Sequence, residues 1–592
     1  MRRRWRTTES PPLSGVAAFN GLGDGEGGRT TAEEIWIGVT FRSPLTSVVQ
    51  LERQIDAVNP FRFRPPRNTE PMDSEQPLLA PHESRDTQTI TKWEAFVREL
   101  NTVSYIAMPM VVVSVSQYLL RAVSMMMLGH LGELALSSAS IATSLANVTG
   151  FSLLVTVLHF SPLGGTPYLS LFVSGLIMRM TEECNGAAEL IINASGMASA
   201  LETLCGQAYG AQHYQKVGTL TYGAIIWLCL ACLPVCVFWI YTDKLLILIG
   251  QDPVISAEAG KFAVWMIPSL FPYAILQSLV RYLQTQSLIF PMLVSSLACL
   301  CIHFPLSWAF IFKLKLGNAG AALAICISYW LNVIFLGLYV KYSSACQKTH
   351  APFSRNVLRT AGEFFHFAIP SAVMVCLEWW TYELVILFSG LLPNPELETS
   401  VLSICLTITT LHYLIPYSFG AAASTRVSNE LGAGKPQAAQ LVLSAVLLLT
   451  SAEIVLATTV IFFCRHVLGF SFSNEESVVS YVEKMTPFLC VSIVMDSSQA
   501  VLSGIARGSG WQHIGACVNL GAYYLVGIPV SLLLGFILHL KGEGLWSGLI
   551  VGAGVQSILL GIVTHLTDLE KKAIEARRRI FDGKYSSRDE LI

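Results

Sequence analysis

Charge is what this chain has least of. Asp, Glu, Lys and Arg make up 13% of its 592 residues, against about 25% in a soluble globular protein. With 53% hydrophobic residues and a mean hydropathy of +0.54, it lacks the polar surface to face water and must face lipid over most of its length. Positive charge is not in excess either: the net charge is -2, which gives no reason to expect a nucleic-acid partner. A phosphate loop is also missing. GAGKP, ending at Pro436, lacks the glycine spacing of such a loop, and a proline follows its lysine directly. No segment between the apolar runs can hold an ATP-binding domain, so work must be driven by an ion gradient and no cofactor is expected. No apolar run contains a nucleophile–base pair or a metal-ligand cluster, so the chain is not read as an enzyme or a metal protein. The 14 cysteines do not change this. Cys229, Cys232 and Cys236 sit in AIIWLCLACLPVCVFWI without nearby His or Asp and read as small packing residues.

Long hydrophobic runs are abundant. Windows of about 19 residues find apolar segments centred near Val112, Ala142, Leu228, Ser269, Cys301, Tyr329, Met374, Ile408, Val455, Val494, Leu525 and Gly554. Each approaches the roughly 20 residues a helix needs to cross a bilayer. The fold class is therefore an all-α polytopic membrane protein of about twelve spans. Basic residues on alternate connectors (Lys216, Arg281, Lys341, Lys348, Arg355, Arg359, Arg426, Lys435, Arg507) fall on the same side as the tail EKKAIEARRR. That places both termini in the cytoplasm. Lys244, Lys261, Lys313, Lys315, Arg465, Lys484 and Lys541 oppose the bias, which rests partly on the tail.

One apolar run is interrupted by LEWWTYEL, with Glu378 and Glu383. A carboxylate at the centre of a membrane helix costs about 2.5–3.5 kcal/mol or more, which makes it a functional candidate. Trp379, Trp380 and Tyr382 add aromatic faces beside the acids, a combination suited to protons, cations or planar organic molecules. The acids are five residues apart, about 140° around a helix, so they do not share a face. Tyr382, four residues from Glu378, does.

The chain also repeats itself. FAIPSAVMVCLEWW lies over YIAMPMVVVSVSQY, with Pro370 on Pro109 and Glu378 on Gln117. TRVSNELGAGKPQ matches ETLCGQAYGAQHYQ, and KGEGLWSGL echoes LGNAGAALA. Equivalent elements recur after an even number of spans. The halves therefore run parallel, related by an axis along the membrane normal, with a site expected between them near mid-bilayer. The paired prolines predict matched kinks.

QYLLRAVSMMMLGHLGELALSS, GMASALETLCGQAYGA, GQDPVISAEAGKF, CLEWWTYEL, STRVSNELGAGKP and VLSGIARGSGWQHIGACVNLGAYYLVGIP closely resemble plant-type MATE proteins (multidrug and toxic compound extrusion, also called DETOXIFICATION proteins). The resemblance runs from about Trp93 to Arg579. It implies two six-helix lobes around a central cavity and export of organic compounds such as flavonoids, alkaloids and xenobiotics. Inward proton flow would drive that export by alternating access. It further implies that Glu378 and Glu383 correspond to the acids of the seventh helix and Asp496 to that of the tenth. Glu378 and Asp496 are then expected to exchange the proton, with Tyr382, Trp379 and Trp380 as substrate contacts. Some microbial relatives carry a cation-linked acid in the first helix. Gln117 stands there in this chain, so coupling is expected in the second lobe. Arg121, one turn on, could select anionic or conjugated substrates, but its place near the outer end of its span favours snorkelling to the interface. An organic-anion exporter is the alternative within transport. The partners are the lipid bilayer, small organic molecules and protons, the chain is expected to be a monomer, and its membrane is vacuolar or plasma.

The implied organisation is a segment 1–71 without counterpart, a cytoplasmic N-terminal tail 72–100, an N-lobe 101–341, an inter-lobe loop 342–360, a C-lobe 361–566 and a tail 567–592. MDSEQPLLAP at Met72 looks like a natural start, and acids upstream of it argue against a transit peptide. Residues 155–195 interrupt the second helix with prolines, glycines and charges, which would leave polar groups unsatisfied in lipid. This segment reads as translated intron sequence. If genuine, it points instead to a non-transporting membrane product. NVT at Asn147 lies within the second span and is expected to be unmodified. Full-length sequencing of the mature message is expected to return no codons for 155–195. A message that retains them would make the insertion genuine.

Overall fold

The computed structural model describes residues 92–131, 139, 196–248, 253–351, 356–473 and 475–585. Among the described residues there are helices and no strands. In the first half these are α1 (Lys92–Gly129), α2 (Ala200–Gly210), α3 (Tyr214–Ile240), α4 (Pro253–Thr285), α5 (Ile289–Lys313) and α6 (Gly317–Tyr342). The second half holds α7 (Ala361–Ser389), α8 (Pro395–Gly432), α9 (Pro436–Phe463), α10 (Glu476–Ser509), α11 (Gln512–Ile537) and α12 (Lys541–Leu566), followed by α13 (Leu569–Tyr585). Eleven of the described helices are long and apolar enough to cross a membrane. The twelfth expected span, centred near Ala142, lies outside the described residues, as do 1–71, Asn147 and 155–195.

The repeat is visible in the turns. Gln212 and Gly434 follow α2 and α8 with left-handed backbone, Ser287 and Gly510 follow α4 and α10, and Lys315 with Gly317 is matched by His539 with Lys541. Before that last pair of turns, both α5 and α11 widen into a π-helical turn, at Ala309–Lys313 and Leu533–Ile537. Pro109 and Pro370 both lie inside their helices. Membrane helices tolerate such prolines because neighbours re-satisfy the freed backbone groups.

The halves meet where α2 crosses α8. A Cβ on Gly210 would overlap the backbone of Asn429, and one on Gly432 would overlap that of Gln207. The contact is reciprocal, because Gly210 and Gly432 are equivalent in the repeat, as are Gln207 and Asn429. Small residues let two backbones approach in a setting where packing, and not water exclusion, drives helix association. The end of the bundle holding this crossing also holds α13 and is called the tail side below.

Three ion pairs join the halves among the described residues, all on the tail side: Glu202 with Arg507, Lys216 with Glu363, and Glu99 with Arg426. Helix α13 adds a strap across both halves. Arg579 donates to Gln207 of α2 at 3.1 Å and lies over the Phe367 ring of α7 at 4.7 Å. Ala573 and Ala576 are buried beneath it.

The structure corrects one part of the sequence reading. Arg281 and Arg507 were counted as connector charges, but both are buried. Arg281 Nη1 lies 2.9 Å from Glu202 Oε1, and Arg507 Nε lies 3.1 Å from Glu202 Oε2. A charge paired inside protein reports packing and carries no weight in a loop count, so the charge bias rests on fewer residues.

The crossing predicts a sharp steric contrast. Gly432→Val forces a branched side chain into the Gln207 backbone and is expected to cost at least about 1–3 kcal/mol, read as a lower melting temperature in detergent. Gly337→Ala, with nothing within 4 Å of the added carbon, is expected to leave it unchanged. Equal melting temperatures for both variants would contradict the crossing.

Candidate functional site

Helix α7 enters the membrane as AGEFFHFAIPSAVMVC and meets its first acid at Glu378. Packing against α8 and α10 removes this carboxylate from lipid and supplies donors. Tyr413 of α8 donates to Glu378 Oε1 at 3.0 Å, and Gln499 Nε2 of α10 donates to the same oxygen at 2.6 Å. One turn on, Tyr382 donates to Asp496 Oδ1 of α10 at 2.8 Å, and Ser492 donates to Asp496 Oδ2 at 3.0 Å. Glu378 and Asp496 are about 5% exposed. Glu378 and Tyr382 therefore share a face, as their four-residue spacing predicts, and three helices converge on two acids that accept every bond described here. A protonated carboxyl must instead donate one bond, so gaining a proton rearranges this network.

The aromatic groups extend the site toward the tail side. Trp379 meets Tyr413 edge to face at 5.7 Å, and Tyr413 lies 6.1 Å from Tyr417. The Tyr417 hydroxyl accepts a hydrogen bond from Arg281 at 2.7 Å. A column of rings thus runs from Glu378 to the buried Arg281–Glu202–Arg507 cluster.

The remaining sequence candidates separate. Trp380 is turned away from the acids. It packs with Cys376 and Leu384 against Tyr524 and Ile528 of α11, so helix packing and not cavity lining accounts for it. Glu383 is buried on another part of α7, outside the bonds around Glu378 and Asp496. Gln117 is half-buried on α1 and is not brought to Glu378. One turn before it, Ser114 lies 3.2 Å from Ser418 of α8. Arg121 does not snorkel: its guanidinium turns inward to the buried Tyr329 and Tyr273, whose rings are 5.3 Å apart. The phenol oxygen offers it an acceptor that lipid tails do not.

Sequence reasoning missed the donors Tyr413, Gln499 and Ser492. It also missed a second buried pair, His412 on α8 with Glu453 on α9, 2.6 Å apart. The criterion that selected Glu378 would have found Glu453, an acid within the apolar run LLLTSAEIVLATTV.

The MatE family profile matches residues 186–309 and 370–533, which include both Glu378 and Asp496. Protein DETOXIFICATION 14 of Arabidopsis thaliana is 47% identical over 504 residues, covering 85% of this chain and 96% of that protein. Protein DETOXIFICATION 12 of the same plant is 48% identical over 486 residues, covering 82% of this chain and 93% of that one. The crystal structure of the eukaryotic MATE transporter AtDTX14 superposes with a TM-score of 0.73 at 48% identity, covering 82% of this chain and all of that one. The chain belongs to the MATE family of multidrug and toxic compound extrusion transporters, among the DETOXIFICATION proteins.

Proposed function

We propose that this transporter is a proton-coupled antiporter that exports bulky organic compounds from the cytosol by alternating access. The observation carrying this reading is the pair of buried acids, Glu378 and Asp496, held by Tyr413, Gln499, Tyr382 and Ser492 across three helices. An organic cation and a proton compete for the same carboxylates, so one leaves as the other arrives. Closure of the tail side by Glu202 with its two arginines supports a conformation open to the opposite side. With both termini cytoplasmic, that side is the vacuolar lumen or the cell exterior, and both are acidic. Protons reach the acids from there and displace substrate carried from the cytosol.

A second reading has support from Arg121. Its guanidinium faces Tyr329 and Tyr273 inside the first half. A cation there favours anionic or conjugated substrates.

Vesicles containing the purified protein test the first reading. Ethidium added to one side is expected to drive proton movement the other way, and Glu378→Gln to reduce that flux by about tenfold or more. Unchanged coupling in Glu378→Gln would remove the acid from the mechanism. For the second reading, Arg121→Gln is expected to weaken competition by an anionic flavonoid glucuronide while leaving ethidium transport intact. Equal competition in both proteins would exclude Arg121 from anion recognition.

A further inference from the structure

Helix α9 presents much of its surface to lipid: Leu448, Val455 and Leu456 are all exposed. An acid on such a helix needs a reason to be there, because an unpaired carboxylate in hydrocarbon is expensive. Glu453 is turned inward and is 8% exposed at its side chain. Its Oε1 lies 2.6 Å from Nε2 of His412 on α8, itself 6% exposed. The other carboxyl oxygen, Oε2, is buried and has no hydrogen-bond partner among the described residues. A fixed tie between two helices has no need of an ionisable acid with one oxygen left unused.

Position connects this pair to the site already described. By helical rise, His412, Glu453, Glu378 and Asp496 all lie about 20–30 Å from the tail-side ends of their helices. His412 precedes Tyr413, the donor to Glu378. Asp496 on α10 is within electrostatic reach of His412. The helices packed around the pair also carry the ionisable groups Glu378, Tyr382 and Glu383 on α7, Tyr413 and Tyr417 on α8, Cys490 on α10, and Tyr105, Tyr118 and Arg121 on α1, among others nearer their ends.

We propose that His412 and Glu453 form a second proton-carrying centre of this transporter, separate from Glu378 and Asp496, so that each cycle moves a further proton through the second half. The inference rests on the proton-coupled reading above. With its proton the pair is net neutral, either as imidazolium with carboxylate or as imidazole with carboxylic acid. Without it the pair carries one negative charge, and the proton has left the pair. Oε2 can take up or lose that proton without breaking a bond to protein. Imidazole is the side chain suited to such exchange at physiological pH.

Two measurements separate a proton carrier from a fixed polar tie. The double variant His412→Gln/Glu453→Gln keeps a hydrogen-bonding pair but cannot titrate. In ethidium-loaded vesicles held at zero membrane potential, the pH gradient at which ethidium flux reverses gives the number of protons exchanged per ethidium. The double variant is expected to exchange one proton fewer than wild type and to remain proton-driven. An unchanged ratio would overturn the proposal. The second measurement needs no substrate and covers a double variant that fails to fold. Infrared titration of purified protein is expected to show a carboxyl band that changes with pH. That band should be absent in Glu453→Gln and displaced in pH in His412→Gln. Identical titrations in all three proteins would likewise overturn the proposal. If wild type moves no protons with ethidium, the proton-coupled reading fails on its own, and the infrared result still reports whether the pair titrates.

Discussion

Glu202 sits between two guanidinium groups, Arg281 from its own half and Arg507 from the other. All three are almost fully buried. Removing such charges from water is costly, and breaking the pairing by losing one partner is strongly destabilising. The cluster can exist only if α2 and α10 are brought together tightly, and the crossing at Gly210 and Gly432 allows that approach. Closure of the tail side therefore depends on charge pairing and on the absence of side chains at two positions. The Lys216–Glu363 and Glu99–Arg426 pairs and the α13 strap reinforce the same closure.

From this cluster the architecture leads back to the acids. Arg281 donates to Tyr417, and Tyr417, Tyr413 and Trp379 form the ring column that ends at Glu378. A change in protonation at Glu378 alters what Tyr413 and Gln499 must do, and Tyr413 lies on the helix that crosses α2. The two halves share a fold but not their chemistry. The second half places Glu378 where the first has Gln117, and the first half holds Arg121 against two tyrosines. The frame is thus duplicated while its polar contents are unequal.

Much of this was legible in the sequence because lipid imposes strict rules. Long apolar runs gave the spans, and the repeat seen in the motifs recurs in turns whose left-handed residues match pair by pair. The helical period put Glu378 and Tyr382 on one face. The failures share a cause, since a sequence shows that a residue is charged or aromatic but not what lies across from it. Arg281 and Arg507 looked like loop charges until Glu202 was found between them. Trp380 looked like cavity lining until α11 was found against it. Arg121 was expected at the interface until the tyrosines of α4 and α6 gave it an inward partner. Glu453 was legible as an acid within an apolar run, but its pairing with His412 was not, because the two lie on different helices.

Direct competition between proton and substrate is the core of this account, and it can be observed without transport. Purified protein in weakly buffered detergent, with a pH-sensitive dye in solution, is mixed with ethidium. The account predicts that binding releases protons, and that release disappears in the double variant Glu378→Gln/Asp496→Asn. Ethidium binding with no proton release by wild type, at any pH where the protein is folded, would contradict it.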